Sequence, residues 1–299
     1  MLWQRVFTAL LLLPVVIGIV FFLPIGLFAS VLGAVLLIGA WEWAALVGKP
    51  VRTSRILFTV LVAILMVVVQ QVSPPYVFWP SLNWPAYDDV AWFHLNNVPL
   101  FVLSASVVFW LISPVLLWFY PTHAVWWRSS ITLRWGYGLL QLIGVWVALI
   151  SLRRVGGNIE PYTGAFLIMF VLLLVWAADV GGYVFGRWLG KRKMAPNISP
   201  GKTWVGFFGG VGLAMVVGYI SKPLFDIQVQ SNIGFIALLL LTVVISVVGD
   251  LMESVAKRES GLKDSGRLLP GHGGLLDRID SLIAAAPIFA LGTLLLEIR

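Results

Sequence analysis

The sequence predicts an all-α, polytopic integral membrane protein of about nine transmembrane helices with a cytoplasmic N-terminus. Three observations carry this expectation. The chain is 60% hydrophobic and only 11% charged, against about 25% charged residues in ordinary soluble domains. Its apolar residues gather in runs close to the roughly 17–25 residues a helix needs to cross about 30 Å of hydrocarbon. Its Lys and Arg residues fall mostly on one side once alternate loops are assigned to opposite faces, the pattern that keeps basic flanks in the cytoplasm.

The runs lie at 7–23, 25–47, 56–72, 98–120, 135–152, 162–178, 204–220, 233–249 and 281–296. The first follows Arg5 as a secretory signal would. No small-residue cleavage site precedes the next run, so it reads as a retained helix. Residues 73–97 are rich in Pro, Trp and Asn and read as an outer loop at the interface. Asp88, Asp89 and His94 in that loop read as solvated groups rather than metal ligands. Of the twenty basic residues, only Arg153, Arg154, Lys222 and Arg299 fall outside, which puts the C-terminus outside. The expected division is an N-terminal region, 1–160, of about five helices, and a catalytic region, 161–299, of about four, with cytoplasmic loops at 179–203 and 250–280.

The formal charge of +7 is thereby concentrated on the inner face, where it attracts anionic head groups or a soluble polyanion such as a nucleotide. No separate basic domain exists to bind nucleic acid. The absence of cysteine excludes disulfides, thiol catalysis and cysteine zinc sites. No internal repeat supports a transporter built from duplicated halves. Glu42 lies between Trp41 and Trp43 near the inner end of the second run. An acid at that depth either serves a function or snorkels to the interface, and both readings stand.

The chemistry-bearing residues cluster near the C-terminus. Asp250, Glu253, Ser254, Lys257 and Arg258 fall on one side of a helix, since offsets of three, four, seven and eight share a face. A polar stretch leads to Pro270-Gly271-His272-Gly273-Gly274, whose glycines let backbone amides approach an anion. Asp277 and Asp280 follow on one face of the last helix, with Arg278 and Ser281 beside them. Carboxylates from two helix ends among Lys and Arg suit a magnesium site for phosphate chemistry. Asp250, Asp277 and Asp280 are the acids that these helix ends offer. His272, alone among acids, is expected to bond phosphate rather than zinc.

A second cluster comprises Asp179, Gly181, Gly182, Gly186, Arg187 and residues 190–193, then Ser199-Pro200-Gly201-Lys202-Thr203. The Gly-Lys-Thr triplet hints at a P-loop, but Pro196 occupies the place of its first glycine and no strand is expected before it. Ser199, Lys202 and Thr203 instead read as a phosphate cradle at a helix start, and 191–193 as topology signals.

These residues resemble the phosphatidate cytidylyltransferase family, also called CDP-diacylglycerol synthases. The family pattern is matched by Ser254, Lys257-Arg258, Lys263-Asp264, Pro270, His272-Gly273-Gly274, Asp277-Arg278 and Asp280, and upstream by Asp179-Val180-Gly181 and 199–203. Val180 departs from the family's usual Ser or Thr, which removes a hydroxyl beside Asp179. The resemblance implies transfer of CMP from CTP to phosphatidic acid, with magnesium, at the cytoplasmic face of the inner membrane. It implies catalytic roles for Asp250, Lys257, Arg258, Asp277 and Asp280, with Asp250, Asp277 and Asp280 as the expected ligands for two magnesium ions and a monovalent cation admissible. Phosphate and substrate contacts would come from Ser199, Lys202, Thr203, Ser254, Lys263, Asp264, His272, Gly273, Gly274 and Arg278. A homodimer is compatible with it. The rivals are an ion-coupled transporter, which leaves the Lys-Arg and His-Gly-Gly elements unexplained, and another membrane lipid enzyme. A CDP-alcohol phosphotransferase would need an Asp-Gly-x-x-Ala-Arg motif, which is missing.

Overall fold

Nine α-helices form among the described residues. The computed structural model describes residues 2–47, 51–73, 98–122, 130–157, 160, 162–268, 271 and 273–298. The outer-loop residues Asp88, Asp89 and His94 lie outside these, as do Pro270 and His272. The helices are α1 (Leu2–Phe22), α2 (Ile25–Val47), α3 (Arg52–Val72), α4 (Val98–Trp118), α5 (Ile131–Arg153), α6 (Thr163–Leu189), α7 (Trp204–Ser221), α8 (Asn232–Glu259) and α9 (Leu276–Leu295). The helices from α2 to α9 are long and apolar enough to cross a membrane, and α1 adds the shorter apolar stretch Leu10–Phe22.

Side-chain caps set three of the helix starts. Ser130 Oγ accepts the Leu133 amide at α5, Thr203 Oγ1 the Gly206 amide at α7, and Ser231 Oγ the Gly234 amide at α8. Each satisfies one of the donors that a helix N-terminus leaves unpaired. Helix α9 differs, because Leu275 stands at its cap position and offers no side-chain acceptor.

Helix α5 is the most buried span, followed by α6, α8 and α9, while α3, α4 and α7 lie at the periphery. Leu142, Ala148, Phe170, Leu174, Leu239, Ala284 and Phe289 fill the centre with no exposed surface. In lipid, helices gain little from hydrophobicity alone and associate where small residues let their backbones approach. That device joins α6 to α7: a Cβ at Gly181 would press on Gly209 and Gly210, and one at Gly206 on Gly182 and Gly186. The same device joins α8 to α9, since a Cβ at Gly249 would press on the Asp280 carbonyl and the Ala284 side chain. The close approach at Gly249 brings Asp250 beside Asp280.

Two expectations change. Residues 179–189, expected as loop, continue α6 to Leu189, so Gly181, Gly182 and Gly186 pack helices rather than line a phosphate loop. A strand does form near the Gly-Lys-Thr triplet. β1 (Lys193–Ala195) pairs antiparallel with β2 (Ser199–Thr203), Lys193 opposite Thr203 and Ala195 opposite Ser199, and β2 runs straight into α7. This hairpin is too short for a period-two pattern to announce it. The fold remains all-α in class.

Helix α8 has 28 residues and α6 has 27, so each is about 40 Å long at 1.5 Å per residue. Hydrocarbon needs only about 30 Å. The surplus turns carry Asp250–Glu259 and Asp179–Leu189 towards the polar boundary. Replacing Gly249 by Val should separate α8 from α9 at the cost of an overpacked contact, about 1–3 kcal/mol. The expected outcome is a lower melting midpoint in detergent, measured by scanning fluorimetry. Gly18→Ala, at a position where a Cβ meets nothing within 4 Å, should leave it unchanged.

Candidate active site

The site forms where the ends of α8 and α9 meet the β1–β2 hairpin and the loop at 260–275. On α8, Asp250, Glu253, Ser254 and Lys257 share a face, as the sequence predicts, and Ser254 Oγ donates to Asp250 Oδ1 at 3.4 Å. The helix ends in a left-handed turn at Gly261 (φ +69°). There Leu262 N donates to Lys257 O at 2.9 Å and Gly261 N to Arg258 O at 3.1 Å. This double closure is the αL stop that glycine permits just past a helix end.

Two ion pairs knit the elements together. Lys202 Nζ, from β2, lies 2.7 Å from Asp250 Oδ2. Lys257 Nζ, from α8, lies 2.7 Å from Asp277 Oδ1 on α9 and 3.5 Å from Glu253 Oε1. Arg258 Nε donates to the Ile198 carbonyl at 3.0 Å, which fastens the hairpin to α8. Ile198 packs with Leu251 and Val255 beneath that contact. Tyr120 donates its hydroxyl to Glu259 Oε1 at 2.9 Å, tying the end of α4 to the same place.

Asp277 is the hub. Its Oδ2 accepts the Ser265 amide at 2.8 Å, the Ser265 hydroxyl at 3.0 Å and the Gly274 amide at 2.9 Å. Gly273 beside it has φ +86°, and a Cβ there would press on Asp277 Oδ2. The Gly274 amide, expected to face phosphate, therefore serves Asp277. Thr203, also expected to contact phosphate, is buried as the cap of α7, and a Cβ at Gly190 would overlap its hydroxyl. Ser199 is half-buried in β2, and Lys263, Asp264, Arg258 and Arg278 are exposed at the mouth of the site. His272 lies outside the described residues.

Asp280 takes the Ser281 amide at 2.7 Å and is within electrostatic reach of Asp250, Glu253 and Lys257. Asp179, from α6, is within reach of Asp250, Lys202 and Arg278, so the second sequence cluster joins the first. Among the described residues, no three carboxylates or imidazoles converge closely enough to hold a metal ion as they stand. The donor chemistry still suits a hard cation. Glu253 is 6% exposed, its nearest cation is Lys257 at 3.5 Å, and its other close neighbour is another acid, Asp280. Sequence reasoning placed Glu253 on the right face but did not single it out. It left Glu42 open between a function and snorkelling; its Oε2 accepts the Ser265 hydroxyl at 3.1 Å.

The amino-acid sequence has known relatives. The model of the family described as "Cytidylyltransferase family" matches residues 3–296. The chain belongs to that family. It is 40% identical to the phosphatidate cytidylyltransferase of Pseudomonas aeruginosa, over 97% of this chain and 96% of that protein. It is 37% identical to that of Haemophilus influenzae, over 97% and 98%, and 48% identical to that of Staphylococcus epidermidis over 40% of this chain and 46% of that protein. For a cytidylyltransferase, a site of paired lysines and carboxylates at a membrane-proximal helix junction is chemically apt. Phosphate groups need cations, and a nucleotide-bound metal needs acids.

Asp277 and Asp280, three residues apart, should respond oppositely to loss of charge. Asp277→Asn removes the partner of Lys257 and should cost about 1.5–3 kcal/mol, the worth of a hydrogen bond to a charged group, read as a lower melting midpoint. Asp280→Asn relieves repulsion from Asp250 and Glu253, so its midpoint should stay level or rise while turnover is abolished. A falling midpoint for Asp280→Asn would mean that the residue is structural.

Proposed function

We propose that this protein transfers CMP from CTP to phosphatidic acid, releasing pyrophosphate and forming CDP-diacylglycerol at the cytoplasmic boundary of the inner membrane. Family membership along almost the whole chain and the shared name of its relatives support the reaction. The observation that carries it to this site is the pairing of Lys202 with Asp250 and Lys257 with Asp277, both at 2.7 Å. With no substrate present, the site's cations and acids neutralise one another. A nucleotide bound with its metal would offer each a new partner, the metal for the acids and phosphate for the lysines.

The lipid phosphate needs no classical base. A phosphate monoester with a second pKa near about 6 is largely ionised at neutral pH. Its oxygen attacks the α-phosphorus of CTP, the bond to the β-phosphate oxygen breaks, and the electron pair leaves with pyrophosphate. The barrier lies in bringing anions together and stabilising charge on the leaving group, which positioned cations accomplish. Lys202, Lys257, Arg258, Lys263 and Arg278 are proposed to hold phosphates, with Ser254, Ser199 and His272 as neutral donors. Magnesium, when bound, would supply positive charge across the CTP phosphates. Asp250 and Asp280 are proposed to hold it, with Glu253 beside them. Asp277 would join only by releasing Lys257.

Purified protein in detergent, given phosphatidic acid and radiolabelled CTP, should form a CMP-labelled lipid with magnesium and none with excess chelator. No labelled lipid under either condition would overturn the reading. Lys202→Ala should raise KM for CTP about tenfold or more, the effect of about 1.4 kcal/mol of lost binding. The side of the membrane is separately testable, because the chain has no native cysteine. Lys191→Cys should react with an impermeant maleimide in inverted vesicles and not in spheroplasts. The reverse would overturn the cytoplasmic placement.

A further inference from the structure

Helix α9 carries Asp277 and Asp280, yet it starts without a side-chain cap of its own. The missing acceptor comes from Glu42 on α2. Its Oε1 accepts the Leu275 amide at 3.0 Å and its Oε2 the Leu276 amide at 2.9 Å. These are the cap and first-turn donors that a helix start leaves orphaned. A carboxylate there also complements the positive end of the helix dipole. Glu42 thus does what Ser130, Thr203 and Ser231 do elsewhere in the fold, from 233 residues away.

The loop is shaped to admit this carboxylate. A Cβ at Gly266 would overlap Glu42 Oε1, and one at Gly274 would overlap Glu42 Oε2 and Ser265 Oγ. Glu42 is itself 5% exposed, so it does not snorkel to water. A buried carboxylate surrounded by donors has little freedom to turn.

The link to chemistry is Ser265, which is 5% exposed. Its hydroxyl lies 3.1 Å from Glu42 Oε2 and 3.0 Å from Asp277 Oδ2. One hydroxyl carries one proton, so it can donate fully to only one of the two. Because Glu42 Oε2 is already held by the Leu276 amide and Asp277 Oδ2 by two further amides, the hydroxyl fixes the spacing between the two acids. A continuous line runs from Glu42 through Ser265 and Asp277 to Lys257.

We propose that Glu42 is a positioning residue for cytidylyl transfer: it sets where α9 begins and, through Ser265, how Asp277 presents to Lys257. It touches no substrate and acts through the aspartate. This inference rests on the proposed reaction for its kinetic consequences, and on the geometry alone for its coupling to Ser265.

The test compares Glu42→Gln, Glu42→Asp, Ser265→Ala and the Glu42→Gln/Ser265→Ala double variant. CDP-lipid formation is measured at varied CTP and corrected for the folded fraction by size-exclusion chromatography. In either orientation glutamine must turn its amide donor towards a backbone amide, that of Leu275 or that of Leu276. Glu42→Gln should therefore lower kcat about 10- to 100-fold, the range expected for a misplaced reacting group, with KM for CTP changed less than about threefold. Glu42→Asp keeps the charge and should recover part of that loss. Ser265→Ala should lower kcat less, and the double variant should be no worse than Glu42→Gln alone, because both break one line. Wild-type kcat in folded Glu42→Gln, a rise in KM alone, or losses that multiply independently would each overturn the proposal. If Glu42→Gln does not fold, Ser265→Ala decides: an unchanged kcat contradicts the line. If the wild type makes no CDP-lipid, the reaction is wrong. The melting midpoints of Ser265→Ala, Asp277→Asn and their double variant then still test the line, and additivity there contradicts it.

Discussion

The contact between Lys257 and Asp277 holds the end of α8 to the start of α9, and most of the site follows from it. Lys257 is 9% exposed, and a charge so far from water is tolerated only when paired and hydrogen-bonded. One carboxylate oxygen meets that demand. The other must then be satisfied too, and the loop between the helices supplies the Ser265 and Gly274 amides and a hydroxyl. A loop rich in glycine and polar residues thereby takes a single course. Gly261 and Gly273, both at positive φ, let it leave α8 and enter α9 at the required angles. The same course brings its backbone onto Glu42, so the N-terminal helices help to shape the site of the C-terminal ones.

A site whose lysines rest on its own acids is stable without substrate and yet ready for it. Removing either partner of a buried pair leaves an uncompensated charge, whereas exchanging both partners at once does not. On the proposed reaction, a nucleotide bound with its metal would supply both replacements, a cation for the acids and anions for the lysines. Glu253, whose nearest cation is Lys257 at 3.5 Å, and Asp280 beside it keep an excess of acid on one side of the site. The exposed Arg258, Lys263 and Arg278 keep an excess of base at its mouth. Helices α6 and α8 are longer than hydrocarbon requires, and on the proposed reaction their surplus turns would set this arrangement where a soluble nucleotide and a lipid head group could both reach it.

Much of this was legible in the sequence because it depends on local periodicity. The limits 25–47 for α2 follow from the apolar run alone, and the polar stripe of α8 follows from helical spacing. Thr203 beside Lys202 suggested a phosphate contact rather than the cap it is, and the glycines after Asp179 suggested a loop until their packing against α7 became visible. Contacts between distant segments left no such trace. Glu42 is one acid among tryptophans, and nothing near it in sequence signals that it caps a helix 233 residues later. The hairpin at 193–203 was missed because three- and five-residue strands show no period. Asp277 was legible as functional, but its engagement with Ser265 and Gly274 depends on a loop path that glycine permits without specifying.

The most direct test is a double-mutant cycle between Lys257→Met and Asp277→Asn, read as melting midpoint in detergent with and without CTP and magnesium. In the free protein the two changes should couple by roughly 0.5–3 kcal/mol, as residues in contact do, with the double variant more stable than the sum of the singles predicts. The coupling should shrink when nucleotide and metal are present, because each group then has a new partner. Strict additivity in the free protein would contradict the claim that this pair assembles the site.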